Sequence, residues 1–290
     1  MSGVAQLDAI DAHVHFWDPV TMHYPWHHGH PSLERVYLPR DFSPLTTGAV
    51  SGVVFVQADC LPSESSREVA FVERLAADEP RILAIVAFVD LLDEASRGEA
   101  LAGLSRSPLV SGVRQNIQGH DAGFALYDAF VRGVQEVGAR GFTFDLCITD
   151  GQVREVTELV ARCPGTRFVL DHCGKPAIRD DAFEPWAESI ERLAVHEGVH
   201  CKLSGLLTEA RSDQRNVDGL RRYADHVVQC FGASRMIYGS DWPVSTLGGG
   251  AELWRSITDE VTQSWSETDR RAFYAGNATR FYELNIPTHG

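Results

Sequence analysis

Lysine is almost missing from this chain: Lys175 and Lys202 are its two instances, against 40 acidic residues, and the formal net charge is −14. A chain so short of basic surface is a poor partner for nucleic acid or an anionic membrane, because phosphate binding needs a basic face. Small anionic substrates are not excluded, since they need only a few local cations. No run of about 18 apolar residues occurs, which speaks against a membrane span. The start "MSGVAQLDAIDAH" lacks a basic segment followed by an apolar one, so no signal peptide is expected. The six cysteines are scattered, without a CxxC, and several sit in or beside apolar runs. That pattern predicts buried free thiols in a cytoplasmic protein. Repeats, low-complexity tracts and linkers are also missing. Nothing in the pattern specifies an oligomeric state, and a homo-oligomer is compatible with it.

What is present is alternation. Short apolar, β-branched runs recur at 7–15, 51–57, 82–88, 110–115, 141–147, 167–171, 199–203 and 235–239. Stretches with helical periodicity lie between most of them. "ESSREVAFVERLAADEP" sets Val69, Val72 and Leu75 on one face and stops at Pro80. "DAGFALYDAFVRGVQEVGARG" does the same and ends at glycine. Strand–helix alternation implies parallel strands, because such crossovers connect them. Eight units in 290 residues predict a closed (β/α)₈ barrel, one domain over 1–290. An open doubly wound sheet would carry a glycine-rich phosphate turn after its first strand. Here that strand ends in "HVHFWDP" instead. The connection over 17–50 is unusually long, rich in Pro, His and aromatics, and reads as a functional lid.

Side chains two apart on a strand share a face, so His13 and His15 point the same way. Barrel active sites open at the C-terminal ends of strands. Two imidazoles there are poor core filler and good metal ligands or oxyanion donors. Other strand ends are polar too: Arg114 in "GVRQNIQ", Asp171 and His172 in "RFVLDHCGKP", Lys202 and Ser204 in "VHCKLSG", and Asp241 in "RMIYGSDWP".

These features resemble the amidohydrolase superfamily, with HxH on strand 1, His on strand 6 and Asp on strand 8. The stretches "IDAHVHFWDP", "YPW", "GVRQNIQ", "LDHCGKP", "CKLSGL", "YGSDWPV" and "NATRFYEL" resemble its amidohydrolase 2, lactonase-type branch, which includes L-fuconolactonase, L-rhamnonolactonase and dicarboxylate-lactone hydrolases. They run from residue 10 to 284. In binuclear members a strand-4 lysine is carboxylated and bridges two metals. Arg114 and Gln115 occupy that region here, so the resemblance implies a mononuclear site or none. Decarboxylase relatives tend to start D/E-x-H, and HVH points instead to hydrolysis.

The resulting expectation is a lactone hydrolase acting on an aldonolactone. His13, His15, His172 and Asp241 offer three imidazoles and a carboxylate, a set suited to one divalent ion, zinc foremost, with an open position for water. The alternative has no metal: Asp241 alone deprotonates water and the histidines, His172 among them, donate to the oxyanion. Arg114 and Lys202 are expected to bind hydroxyls, the carbonyl or a carboxylate of the substrate. Gln57 is expected in the pocket, and Tyr24 and Trp26 to stack on a sugar ring. The tract His23, His27, His28 and His30 is read as incidental, and Asn277 as the cap of the last helix. A decarboxylase or amidase on the same fold, and a binding-only barrel, are the rival readings.

Overall fold

The computed structural model describes residues 7–42 and 50–286. Eight parallel strands follow one another round the sheet: β1 (Ala9–Val14), β2 (Val50–Val56), β3 (Ile82–Ala87), β4 (Val110–Val113), β5 (Thr143–Leu146), β6 (Arg167–Leu170), β7 (Val199–Leu203) and β8 (Met236–Tyr238). Seven are those expected to within two or three residues at each end, and β8 likewise within one. The barrel closes between β8 and β1. Two hydrogen bonds make that seam, Asp241 N to His13 O at 2.9 Å and His15 N to Trp242 O at 2.8 Å. The expected (β/α)₈ barrel is therefore the fold.

Strand residues divide between two apolar layers. Val53, Phe55, Phe168, Leu170, Met236 and Tyr238 pack outward against the helices. Val54, Val56, Val169 and Ile237 fill the interior, where Phe281, Tyr282 and Leu284 join them. Arg167, at the start of β6, bonds the carbonyl of Phe281 at 3.0 Å, so this C-terminal segment plugs the N-terminal end of the barrel.

Helices cover the outside at Ser65–Asp78, Arg97–Leu104, Asp128–Ala139, Val153–Arg162, Glu184–Ala194, Val217–Phe231 and Gly250–Val261. Two differ from expectation. Helix Arg97–Leu104 is too short, with Leu101 as its buried apolar anchor, to announce itself by period. The helix expected from residue 121 begins at Asp128, because Gly123 takes a left-handed conformation and a 3₁₀ turn intervenes. Asn277 does not cap a helix end: it lies within the helical run and donates to Ala233 O and Met236 O, tying that run to β8.

The long connection after β1 is pinned rather than detached. Trp17 is fully buried and donates to the carbonyls of Leu33 and Arg35 at 3.1 and 2.9 Å. Tyr24, Trp26, His27 and Tyr37 pack round its ring. A buried aromatic knot of this kind holds the loop in place as part of the cavity wall. The part of the 17–50 segment that falls at 43–49 lies outside the described residues.

Candidate active site

The aim of the two β1 histidines depends on a register slip. Ile10 and Ala12 belong to the inner layer, yet Val14 belongs to the outer one. Strict alternation would put 14 inward and both histidines under the helices. The β1–β2 register shifts between Asp11 and Val14. One residue of slip reverses every later side chain, as a bulge does, and turns His13 and His15 into the barrel mouth.

There they meet Asp241. Its Oδ1 lies 3.8 Å from His13 Nε2, 3.5 Å from His15 Nε2 and 3.9 Å from His172 Nε2. All four side chains are buried. The other nitrogen of each ring is occupied: His13 Nδ1 by Asp171 at 3.3 Å, His15 Nδ1 by Val56 O at 2.7 Å, His172 Nδ1 by Ser204 Oγ at 2.9 Å. A carbonyl only accepts, so His15 carries its proton on Nδ1 and, when neutral, presents a lone pair at Nε2. Burial holds His13 well below the ordinary imidazole range, with Lys202 and His172 adding to it. Burial likewise pushes His172 down to about 4, helped by Lys175 and Arg114. Burial pushes Asp241 upward, but His172, His15 and His13 outweigh it and keep the carboxyl well below the usual carboxylate range. The result is a carboxylate facing the neutral imidazoles of His13 and His172, with the His15 ring beside them. Ligand atoms of His13, His172 and Asp241 lie within 4.8 Å of one another, the single such group among the described residues. Nitrogen lone pairs converging on an anion call for a cation between them, so this donor set fits a divalent ion.

The backbone is strained to build this mouth. Among the described residues seven that are not glycine have positive φ, and five stand at strand ends here: Asp59, His172, Cys173, Lys175 and Asp241. Such conformations persist where surrounding structure enforces them. Gly205 serves the same site. Its φ is +69°, and a Cβ there would sit 2.5 Å from His172 Nδ1. We expect Gly205→Ala to cost about 1–3 kcal/mol in urea unfolding, through left-handed strain and overpacking. It should also displace His172 and lower turnover more than substrate affinity.

A cavity of ≈ 240 Å³ opens onto His15, His172 and Asp241. Of the residues expected to touch substrate, Arg114 and Trp26 line it. Three do not. Tyr24 is buried against His27 and Trp17, on a separate cavity under the loop. Gln57 turns its Oε1 back to Asp59 N at 2.6 Å. Lys202 is wholly buried beneath His13, its Nζ 2.6 Å from Asp145, 3.0 Å from Asp171 and 3.3 Å from His13 Nδ1. Arg114 completes that layer at 3.1 Å from Asp171, and Tyr282 from the C-terminal plug donates to Asp145 at 2.9 Å. Of the histidine tract, His30 lines the cavity, His27 is buried against Trp17, and His23 and His28 face carboxylates at the surface. A larger groove, ≈ 650 Å³, lies between helices Ser65–Asp78 and Arg97–Leu104 and contains none of these groups.

Sequence reasoning missed Asn116, Gln118, Lys175, Val244 and Leu247, which also line the cavity. Period two was a usable signal for the first two, since Asn116 and Gln118 follow Arg114 at even spacing.

The family model described as "Amidohydrolase" matches residues 10–284. An L-fucono-1,5-lactonase from Burkholderia multivorans is 35% identical, over 96% of this chain and 97% of its own. An L-fucono-1,5-lactonase from Burkholderia ambifaria is 32% identical over 96% and 97%. A crystal structure of an amidohydrolase from Burkholderia multivorans, with bound zinc, superposes with a TM-score of 0.87 at 33% identity, covering 96% of this chain and 100% of that one.

Proposed function

The chain belongs to the amidohydrolase family, and from that premise we propose that its barrel mouth hydrolyses a sugar-acid lactone, an aldonolactone such as fuconolactone or rhamnonolactone. One observation carries this reading: a buried, ionised Asp241 faces three imidazole Nε2 atoms in a cavity of single-sugar size. Asp241 is the general base. It takes a proton from water as the water oxygen attacks the ring carbonyl. It then returns that proton to the ring oxygen as the carbon–oxygen bond breaks, leaving an open hydroxy acid. Arg114 borders the reacting carbonyl and favours its developing negative charge; without an ion in the site, His172 would add to this by donating from Nε2.

We propose that one zinc ion is held by His13, His172 and Asp241 with His15 beside them. When bound, such an ion supplies polarisation of the carbonyl and a more acidic water. The zinc in the Burkholderia multivorans amidohydrolase supports the choice of metal. Six free cysteines are consistent with the cytoplasm as the working compartment. No helix among the described residues is long and apolar enough to cross a membrane.

Acid release at constant pH, measured over a panel of lactones, tests the assignment. Sugar lactones should outpace a dicarboxylate lactone, an amide and an aromatic acid. Chelation followed by dialysis should lower the rate roughly 100-fold or more, and added zinc should restore it. A full rate after chelation would leave Asp241 and the histidines to act without metal.

A further inference from the structure

Both lysines of the chain stand at the barrel mouth or directly beneath it, although 26 basic residues are spread along the sequence. Lys202 is committed to the charged layer below His13. Lys175 is not, and its position is costly. His172, Cys173, Gly174 and Lys175 take φ values of 53°, 54°, 72° and 49°, four left-handed residues in a row. L-residues avoid that conformation, and glycine alone adopts it freely. The turn closes through Lys175 N to His172 O at 2.9 Å. In a three-residue turn, side chains three apart come to the same side. The strain therefore delivers Lys175 to the cavity next to His172.

At that place Lys175 Nζ donates to Gln118 Oε1 at 2.5 Å. An ammonium has donors only, so it fixes the Gln118 amide with Nε2 turned away. That Nε2 has no partner among the described residues, and Lys175 keeps two protons to give. Two donors thus stand side by side on one wall, from the ends of β4 and β6. The 3₁₀ turn Val244–Gly248 that follows β8 contributes Val244 and Leu247, which share one of its faces, to the same cavity. A compact ammonium suits hydroxyl oxygens here, where the fork of an arginine would seek a carboxylate.

We propose that Lys175 and Gln118 together bind a pair of neighbouring hydroxyls on the lactone substrate, and so select polyhydroxylated lactones over bare ones. This rests on the lactonase reading above. The test compares L-fuconolactone with δ-valerolactone, which has the ester ring and no hydroxyl. Lys175→Met should lower kcat/KM on the sugar lactone roughly 10–100-fold, the range for a charged hydrogen bond, mainly by raising KM. Its effect on δ-valerolactone should be several-fold smaller, because no hydroxyl is there to lose and any loss passed through the neighbouring His172 falls on both lactones alike. Gln118→Leu should show the same pattern at smaller size. Equal losses on both lactones, or none on the sugar lactone, overturn the proposal while leaving the lactonase assignment intact. Calorimetric titration with the sugar acid L-fuconate needs no turnover: Lys175→Met should weaken it roughly tenfold, and unchanged affinity also overturns the proposal. A wild-type protein that opens neither lactone sinks the lactonase reading instead.

Discussion

Asp241→Asn is expected to lower kcat on the sugar lactone at least ~10³-fold, with KM changed little. Asparagine keeps the shape of the side chain and the backbone seam to His13. It removes the charge and the capacity to carry a proton. No other group in the cavity replaces both. Asp59 is exposed at the rim, and Asp171 is locked between Lys202, His13 and Arg114. The same change removes one of the three converging atoms of the proposed zinc site, so zinc taken up from solution and retained after gel filtration should fall in parallel. Circular dichroism will report whether the fold is kept. A folded Asn variant with more than about a tenth of wild-type kcat would remove Asp241 from the chemistry.

The second large effect concerns stability. Lys202→Met is expected to cost about 3–5 kcal/mol in urea unfolding, because a buried pair broken on one side leaves its charge uncompensated. Two carboxylates face this one ammonium: Asp145 at 2.6 Å, and Asp171 at 3.0 Å, which Arg114 also holds. Asp145 and Asp171 are wholly buried, and burial already pushes Asp145 up to about 6 despite Lys202. Methionine matches the length of the lysine stem, so lost packing contributes little. The double variant Asp145→Asn/Lys202→Met should recover part of the loss, since one orphaned charge goes with its partner. Strict additivity of the two single changes would mean the pair is not coupled.

Much of the fold was legible because strand and helix periods differ and each strand is bounded by turns or charge. The eight strand positions follow from that alone. The converging residues His13, His15, His172 and Asp241 were legible for a related reason: they are polar side chains at the ends of apolar runs. What escaped was anything set by local backbone rather than by period. The slip between Asp11 and Val14 decides which way the histidines face, and no residue there advertises it. The left-handed turn at 172–175 carries Lys175 to the cavity, yet only one of its four residues is glycine. Lys202 illustrates the opposite error. Its strand-end position suggested a substrate contact, but a residue at the last inward layer can lie under the site as easily as on it.

The β8–β1 seam has a bearing on how the protein is made. Its two hydrogen bonds join backbone atoms of His13, His15, Asp241 and Trp242, the earliest and latest contributors to the mouth. Until residue 242 has been made, the first two imidazoles have no neighbouring strand on that edge and no Asp241 to face. A fragment stopped short of β8 would have neither a closed wall nor a base.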